Sequence, residues 1–255
     1  MMSIEIHALT GIPDVKAEDD LAQFIVTSMA EANLTLRDND IFVIAQKIVS
    51  KAEGQTIHLT DITPSERAEE IAHRTNKDPR KIEMILRESR KILKIRDASD
   101  NNEGTIITLH NLGFVSANAG IDESNLDGVG DLLLLPRDPD NSARTLRENI
   151  HSLTHKSPGI VISDTFGRPW RLGQVNVAIG LAAVPALIDL TGQNDAWGNR
   201  LNVTKPAFAD ELAAASGLLM DKQTKSPVIL FRGLNWQPSD SQINDLLRPK
   251  KEDLF

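Results

Sequence analysis

Three short segments of this chain hold the residue types that handle anions and hard metal ions. The first, Ser116 to Asn125 (SANAGIDESN), places Asn118, Gly120, Asp122, Ser124 and Asn125 among small residues that let a ligand approach the backbone. Asp122 offers a hard oxygen and Asn125 an amide for a sugar or phosphate, a combination that Mg²⁺ and Mn²⁺ sites use with nucleotide phosphates. An Asx-rich turn explains the same letters equally well. In the second, Val161 to Gly180, the apolar run GIVI leads into Ser163, Asp164, Thr165, Gly167 and Arg168. Polar residues at the carboxyl end of a strand sit where α/β folds place ligands. Asp164 and the Thr165 hydroxyl can both ligate a metal, and Arg168 and Arg171 present planar forks suited to phosphate or carboxylate. The competing reading makes Asp164 a helix N-cap. The third, Asp40 to Gly54, is a strand followed by Gln46, Lys47, Ser50 and Lys51. Its lysines are point charges for phosphate or simply a solvated helix face.

Composition narrows what those segments can serve. The 255 residues include no cysteine, which removes disulfides, thiolate nucleophiles and cysteine-ligated metal centres, so any metal must sit on oxygen or imidazole. A formal charge of −8, no tyrosine and 4% aromatic residues argue against a nucleic-acid partner. No leader-like or membrane-spanning run appears, so the expected location is the cytoplasm. The sequence has no GxxxxGK[ST], GxGxxG, GxSxG or HExxH motif. His151 and His155 are spaced to share one helix face, but the helix C-terminal dipole explains them more simply than a metal does.

The elements that must position these segments can be read in outline. Strand-like runs fall at Ile4 to Leu9, Asp40 to Ala45, Thr105 to Leu109, Leu132 to Leu135, Gly159 to Ser163, Val175 to Leu181 and Val228 to Phe231. Helical patterns fall at Asp19 to Ala32, at Pro64 onward with Thr63 as N-cap and Glu66 completing a capping box, at Pro79 to Lys94, at Asn141 to Leu153 and at Ala207 to Met220. Asp97 to Gly104 reads as a hairpin tip. The predicted class is α/β, mixed α+β, in a single domain over 1–255.

Taken in order, these segments resemble the coenzyme F420:L-glutamate ligase family in its free-standing form. The likeness runs nearly end to end through ALTGIPDV, IVSKAEG, PSERAEEIA, SANAGIDESN, LLLLPRDPDNSA, ISDTFGRPWRLGQVNVAIG, ADELAAASGLLM and VILFRGLN. The resemblance implies two interwoven subdomains of mixed sheet and helix, a homodimer, and no nitroreductase-like C-terminal domain. It also implies GTP-dependent addition of L-glutamate to coenzyme F420-0, and to F420-1 and longer forms, through an acyl phosphate, with a γ-glutamyl amide as product. By the same resemblance Leu9, Thr10, Gly11, Ile12, Gln46, Lys51, Asn125, Met220, Asp221, Lys222 and Gln223 touch the nucleotide. Asp122, Asp164 and Thr165 match metal positions for Mg²⁺ or Mn²⁺, two ions per subunit, with K⁺ also admitted. Asp122, Asp164 and Arg168 form the catalytic set. The stretch Met220 to Pro227 (MDKQTKSP) departs from a family loop richer in glycine and acid, so no metal ligand is carried over from it.

Overall fold

A computed structural model describes residues 3–99, 102–123, 130–220 and 225–252. Asn125, Asp221, Lys222 and Gln223 therefore lie outside the described residues. The chain runs β1 (Glu5–Leu9), α1 (Leu21–Glu31), β2 (Ile41–Ala45), α2 (Gln46–Ala52), β3 (Thr56–His58), α3 (Glu66–Thr75), α4 (Pro79–Arg87) and β4 (Ser89–Arg96). It continues with β5 (Thr105–His110), β6 (Val115–Ala117), β7 (Asp131–Leu133), α5 (Pro139–Thr154), β8 (Gly159–Arg168), β9 (Arg171–Ala182), α6 (Phe208–Ser216) and β10 (Val228–Arg232). The class is α/β, as expected.

The main sheet has the order β1-β10-β2-β8-β9, with β2 and β8 parallel and the other neighbours antiparallel. Its central strands are apolar through Ile41–Ala45 of β2, 228–231 of β10 and 159–162 of β8, where both faces are covered. Phe42, Ile44, Ile160, Ile162 and Leu230 face a core shared with α1 and α5, while Ile41, Val43, Val161, Ile229 and Phe231 face α6. α5 lies close enough to β9 that a Cβ on Gly180 would stand 2.5 Å from the Pro139 backbone. Two smaller sheets, β3-β7 and β4-β5-β6, complete the described strands, and α3 and α4 cover the latter by packing Ile71, Ile82 and Ile85 with Ile106 of β5. No helix among the described residues is long and apolar enough to cross a membrane.

Local signals explain most element ends. Asp20 caps α1 by accepting from the Gln23 N–H at 3.1 Å, and Asp138 caps α5 with Pro139 at its first position. Three expectations need correcting. Ser65, not Thr63, caps α3, because its hydroxyl is the one that reaches the Ala68 N–H, at 3.3 Å. The helix expected over Pro79 to Lys94 stops at Arg87, and Ser89–Arg96 pairs instead with β5. Finally, β8 does not end at Ser163. It continues to Arg168 in a hairpin with β9, so no helix follows for Asp164 to cap.

Candidate functional site

The parallel pair β2 and β8 brings two of the three chemistry-bearing segments together. Ala45 pairs with Ser163, and the chain turns at once into α2, so Gln46 and Lys47 rise beside Asp164 and Thr165. A register shift between Ile162 and Ser163 opposite β9 marks a bulge where β8 enters the site, and bulges re-aim side chains in this way. The third segment arrives from β6 and ends at Asp122, whose backbone bridges to Leu133 of β7 through two hydrogen bonds of 3.0 and 2.9 Å. Between them lies a cavity of about 720 Å³.

Its charged floor is tightly cross-linked. Lys47 Nζ lies 2.7 Å from Asp122 Oδ2. Gln46, buried, accepts from the Ser50 hydroxyl at 2.8 Å through its amide oxygen, which leaves its NH₂ to donate to the Asp164 carboxylate. Burial pushes the Asp164 carboxyl up to about 6, and the neighbouring Asp122 charge adds to that. Donation from the Thr165 N–H and from Gln46, together with the Lys47 charge, offsets only part of it. The Thr165 hydroxyl donates to Asn176 Oδ1 at 2.9 Å, which keeps its oxygen lone pairs for another partner. Asn176 is fixed in turn by Ser216 and by the Met220 sulfur.

Other expected residues divide into two groups. Ile12, Lys51 and Met220 line the cavity with Gln46, Asp122, Asp164 and Thr165. Leu9, Thr10, Gly11 and Arg168 are not among its lining residues. Leu9 is fully buried opposite Val228, and the Thr10 carbonyl accepts from the Ser28 hydroxyl at 2.7 Å. Gly11 holds the opening segment in a left-handed conformation at φ +81°. These three residues shape the loop that delivers Ile12. Arg168 stands at the end of the β8–β9 hairpin, where its guanidinium donates to the Leu172 carbonyl at 2.8 Å. Both histidines stand at the C-terminal end of α5, where His155 ends the helix in a left-handed conformation and His151 bonds Ser157. Among the described residues no group of three His, Cys, Asp or Glu side chains is placed to share a metal.

Sequence reasoning did not single out Asn176, Phe166 or Gln174 as cavity residues, and it reached Lys225 and Ser226 only as part of the Met220 to Pro227 stretch. An asparagine inside the apolar run VNVAIG was the available signal for Asn176, since a buried amide demands partners. The Lys47–Asp122 contact joins the first turn of α2 to a segment far away in sequence and left no local trace.

Two carboxylates, a hydroxyl oxygen and an amide converge at this cavity. That donor set suits a hard divalent ion, and the lysines beside it suit the anionic groups such an ion accompanies. The site is thus of the kind that gathers anionic groups around hard oxygen donors on an α/β scaffold. The chain belongs to the F420-0:Gamma-glutamyl ligase family, whose profile it matches over residues 11–233. It is 43% identical over 257 residues to the coenzyme F420:L-glutamate ligase of Methanothermobacter thermautotrophicus, covering all of this chain and 99% of that protein. Its identity to the protein of the same name from Methanocaldococcus jannaschii is 41% over 256 residues, covering all of this chain and 96% of the relative. For Methanopyrus kandleri the figures are 44% over 221 residues, 86% of this chain and 83% of the relative.

Proposed function

We propose that this chain joins L-glutamate to coenzyme F420-0, with GTP consumed and GDP and phosphate released, and that it repeats the step on F420-1 and longer products. The observation that carries this reading is the Asp122–Asp164 pair beside Lys47 on the floor of a cavity whose lining also includes Lys51 and Lys225. Carboxylate donors beside lysines are what a reaction between a polyphosphate, a carboxylate and an amino acid requires, because three anionic substrates must be held together. The names of the relatives support the same acceptor and the same amino acid.

The acceptor carboxylate oxygen attacks the γ-phosphorus and GDP leaves. The glutamate amine then attacks the acyl carbon, phosphate departs, and the new amide nitrogen loses a proton. Asp122, Asp164 and the Thr165 hydroxyl would hold Mg²⁺ or Mn²⁺, two ions per subunit, which would supply charge neutralisation for phosphoryl transfer. Ile12, Gln46, Lys51 and Met220 orient the nucleotide from the cavity wall, and K⁺ is admitted as a further ion. Positioning supplies most of the rate. In this reading the reaction runs in the cytoplasm.

The chain acts as a homodimer in this reading, supported by large apolar side chains left in solvent: Trp170 at 80%, Leu172 at 97% and Trp197 at 87% exposure. Incubation with F420-0, GTP, Mn²⁺ and glutamate should yield products heavier by whole glutamyl residues in mass spectrometry, with GDP formed in step. Product without added glutamyl mass sinks the assignment. Sedimentation of the same sample at the monomer mass removes the dimer.

A further inference from the structure

The segment that delivers Asp122 to the cavity makes an unusual turn. Asn118, Ala119 and Gly120 follow β6 with φ of +50°, +54° and +66°, three left-handed residues in succession. Such a run is disfavoured for residues with a Cβ, so something outside the backbone must hold it. Two side chains do. In the β5–β6 ladder, Ile107 faces Ala117 and Thr108 faces Ser116, so the next rung would set Ile106 against Asn118. There the backbone swings away, and the Asn118 side-chain oxygen accepts from the Ile106 N–H at 3.2 Å in its place. Ile106 is 1% exposed, which leaves that N–H no access to water. One residue on, the Ala119 methyl is 1% exposed in the cluster formed by α3, α4 and Ile106. The turn closes with the Ile121 N–H on the Asn118 carbonyl at 3.2 Å, and Asp122 then locks onto Leu133.

We infer that Asn118 is a positioning residue for Asp122: its side chain ends the β5–β6 ladder and holds the left-handed turn that aims the Asp122 carboxylate at Asp164. Asparagine serves both demands, because it tolerates the left-handed region better than other non-glycine residues and carries an acceptor on a short stem. The proposal rests on the reading of Asp122 and Asp164 as metal-holding carboxylates. It goes beyond that reading in assigning the geometry of the pair to a residue that itself carries no charge.

Mn²⁺ binding to the full chain, followed by the loss of the free-ion paramagnetic resonance signal without nucleotide or turnover, tests this. Wild type is measured first, with Asp164→Asn as the reference for a lost ligand. Asn118→Ala removes both the acceptor and the left-handed tolerance, and should weaken Mn²⁺ binding about tenfold, the usual scale for a residue that orients a ligand. Asn118→Gly keeps the turn accessible but not the hydrogen bond, and should weaken it about threefold, the loss expected of one ordinary hydrogen bond. Wild-type protein that fails to bind Mn²⁺ overturns the metal reading on which the proposal stands. If wild type binds and both variants bind equally well while melting at lower temperature, Asn118 is structural only and the proposal is overturned. Should the alanine variant fail to fold, the glycine variant decides the outcome alone.

Discussion

β2 has an aspartate near each end, Asp40 buried and Asp164 half-buried at the cavity, and the two are treated in opposite ways. Just before its start, Asp40 is 1% exposed and takes a two-pronged contact from Arg232, 2.9 Å from Nε and 2.6 Å from Nη2, with the Arg37 N–H adding a third donor at 2.9 Å. Arg232 spends a further donor on the Thr35 carbonyl. Charge and hydrogen bonds balance there. Beyond the other end, Asp164 meets burial and a second carboxylate, with a shared lysine and a neutral amide as its side-chain partners. A closed account of donors fixes a fold, whereas an open one facing a cavity stores attraction for something not part of the chain. Burial of charge alone does not tell the two apart.

The widest gap between the two ends should appear on substitution. Asp164→Asn keeps the shape and removes the charge, so turnover should fall by about 10³-fold or more, on the scale of losing an electrostatic group that acts in the transition state. The variant should melt no lower than wild type, because the substitution relieves repulsion from Asp122. Initial rates of GDP release and a melting curve check both halves, and near-wild-type activity would falsify the metal role. Asp40→Ala should show the reverse. It strands a buried guanidinium, which costs about 3 kcal/mol, or roughly 10 °C in a chain of this size. The activity of the fraction that remains folded should persist. If Asp40→Ala lowered kcat at unchanged stability, the contrast between a structural and a functional aspartate would collapse.

How much of this contrast was readable beforehand depends on range. The apolar runs of β2 and β10 are local signals and were read as strands, whereas the acid caps of α1 and α5 were passed over, and α5 begins at Pro139 rather than at Asn141. β4 was not readable as a strand: bulges between Ser89 and Lys91 and between Ile92 and Lys94 break its alternation, so ILRESRKILKIR kept a helical spacing past the end of α4. Asp122 and Asp164 were identified as donors by type and neighbours. Their meeting was implied only by the family resemblance, because the β2–β8 pairing, the bulge in β8 and the Asn118 turn act through tertiary contacts. The Asp40–Arg232 pair joins opposite ends of the chain and carried no local mark.

A third buried ionisable group sharpens the comparison with the smallest effect. His110 on β5 is 2% exposed and stacks on Phe114 at 5.1 Å. Its Nδ1 accepts from the Leu112 N–H at 2.9 Å, so the neutral ring carries its proton on Nε2. Glu88 lies 3.7 Å from that nitrogen, too far for a hydrogen bond. Burial, aided by the Arg90 charge, lowers the imidazole to about 4. Above about pH 6.5 the ring is neutral whether folded or not, and its share of stability is fully present. As pH falls from there toward 4, only the unfolded chain takes up the proton, so stability drops by up to about 1.4 kcal/mol per pH unit, about 3 kcal/mol in all. His110→Phe keeps the stacking and removes the titration. It also leaves the Leu112 N–H without its acceptor, a loss that does not vary with pH. Urea unfolding at pH 7, 6, 5 and 4.5 should therefore show a variant weaker by a constant amount at neutral pH that closes on wild type as the solution is acidified. Parallel stability curves would mean that the ring is protonated in the fold, paired with Glu88 as Arg232 is with Asp40. His110 would then belong with the compensated charges.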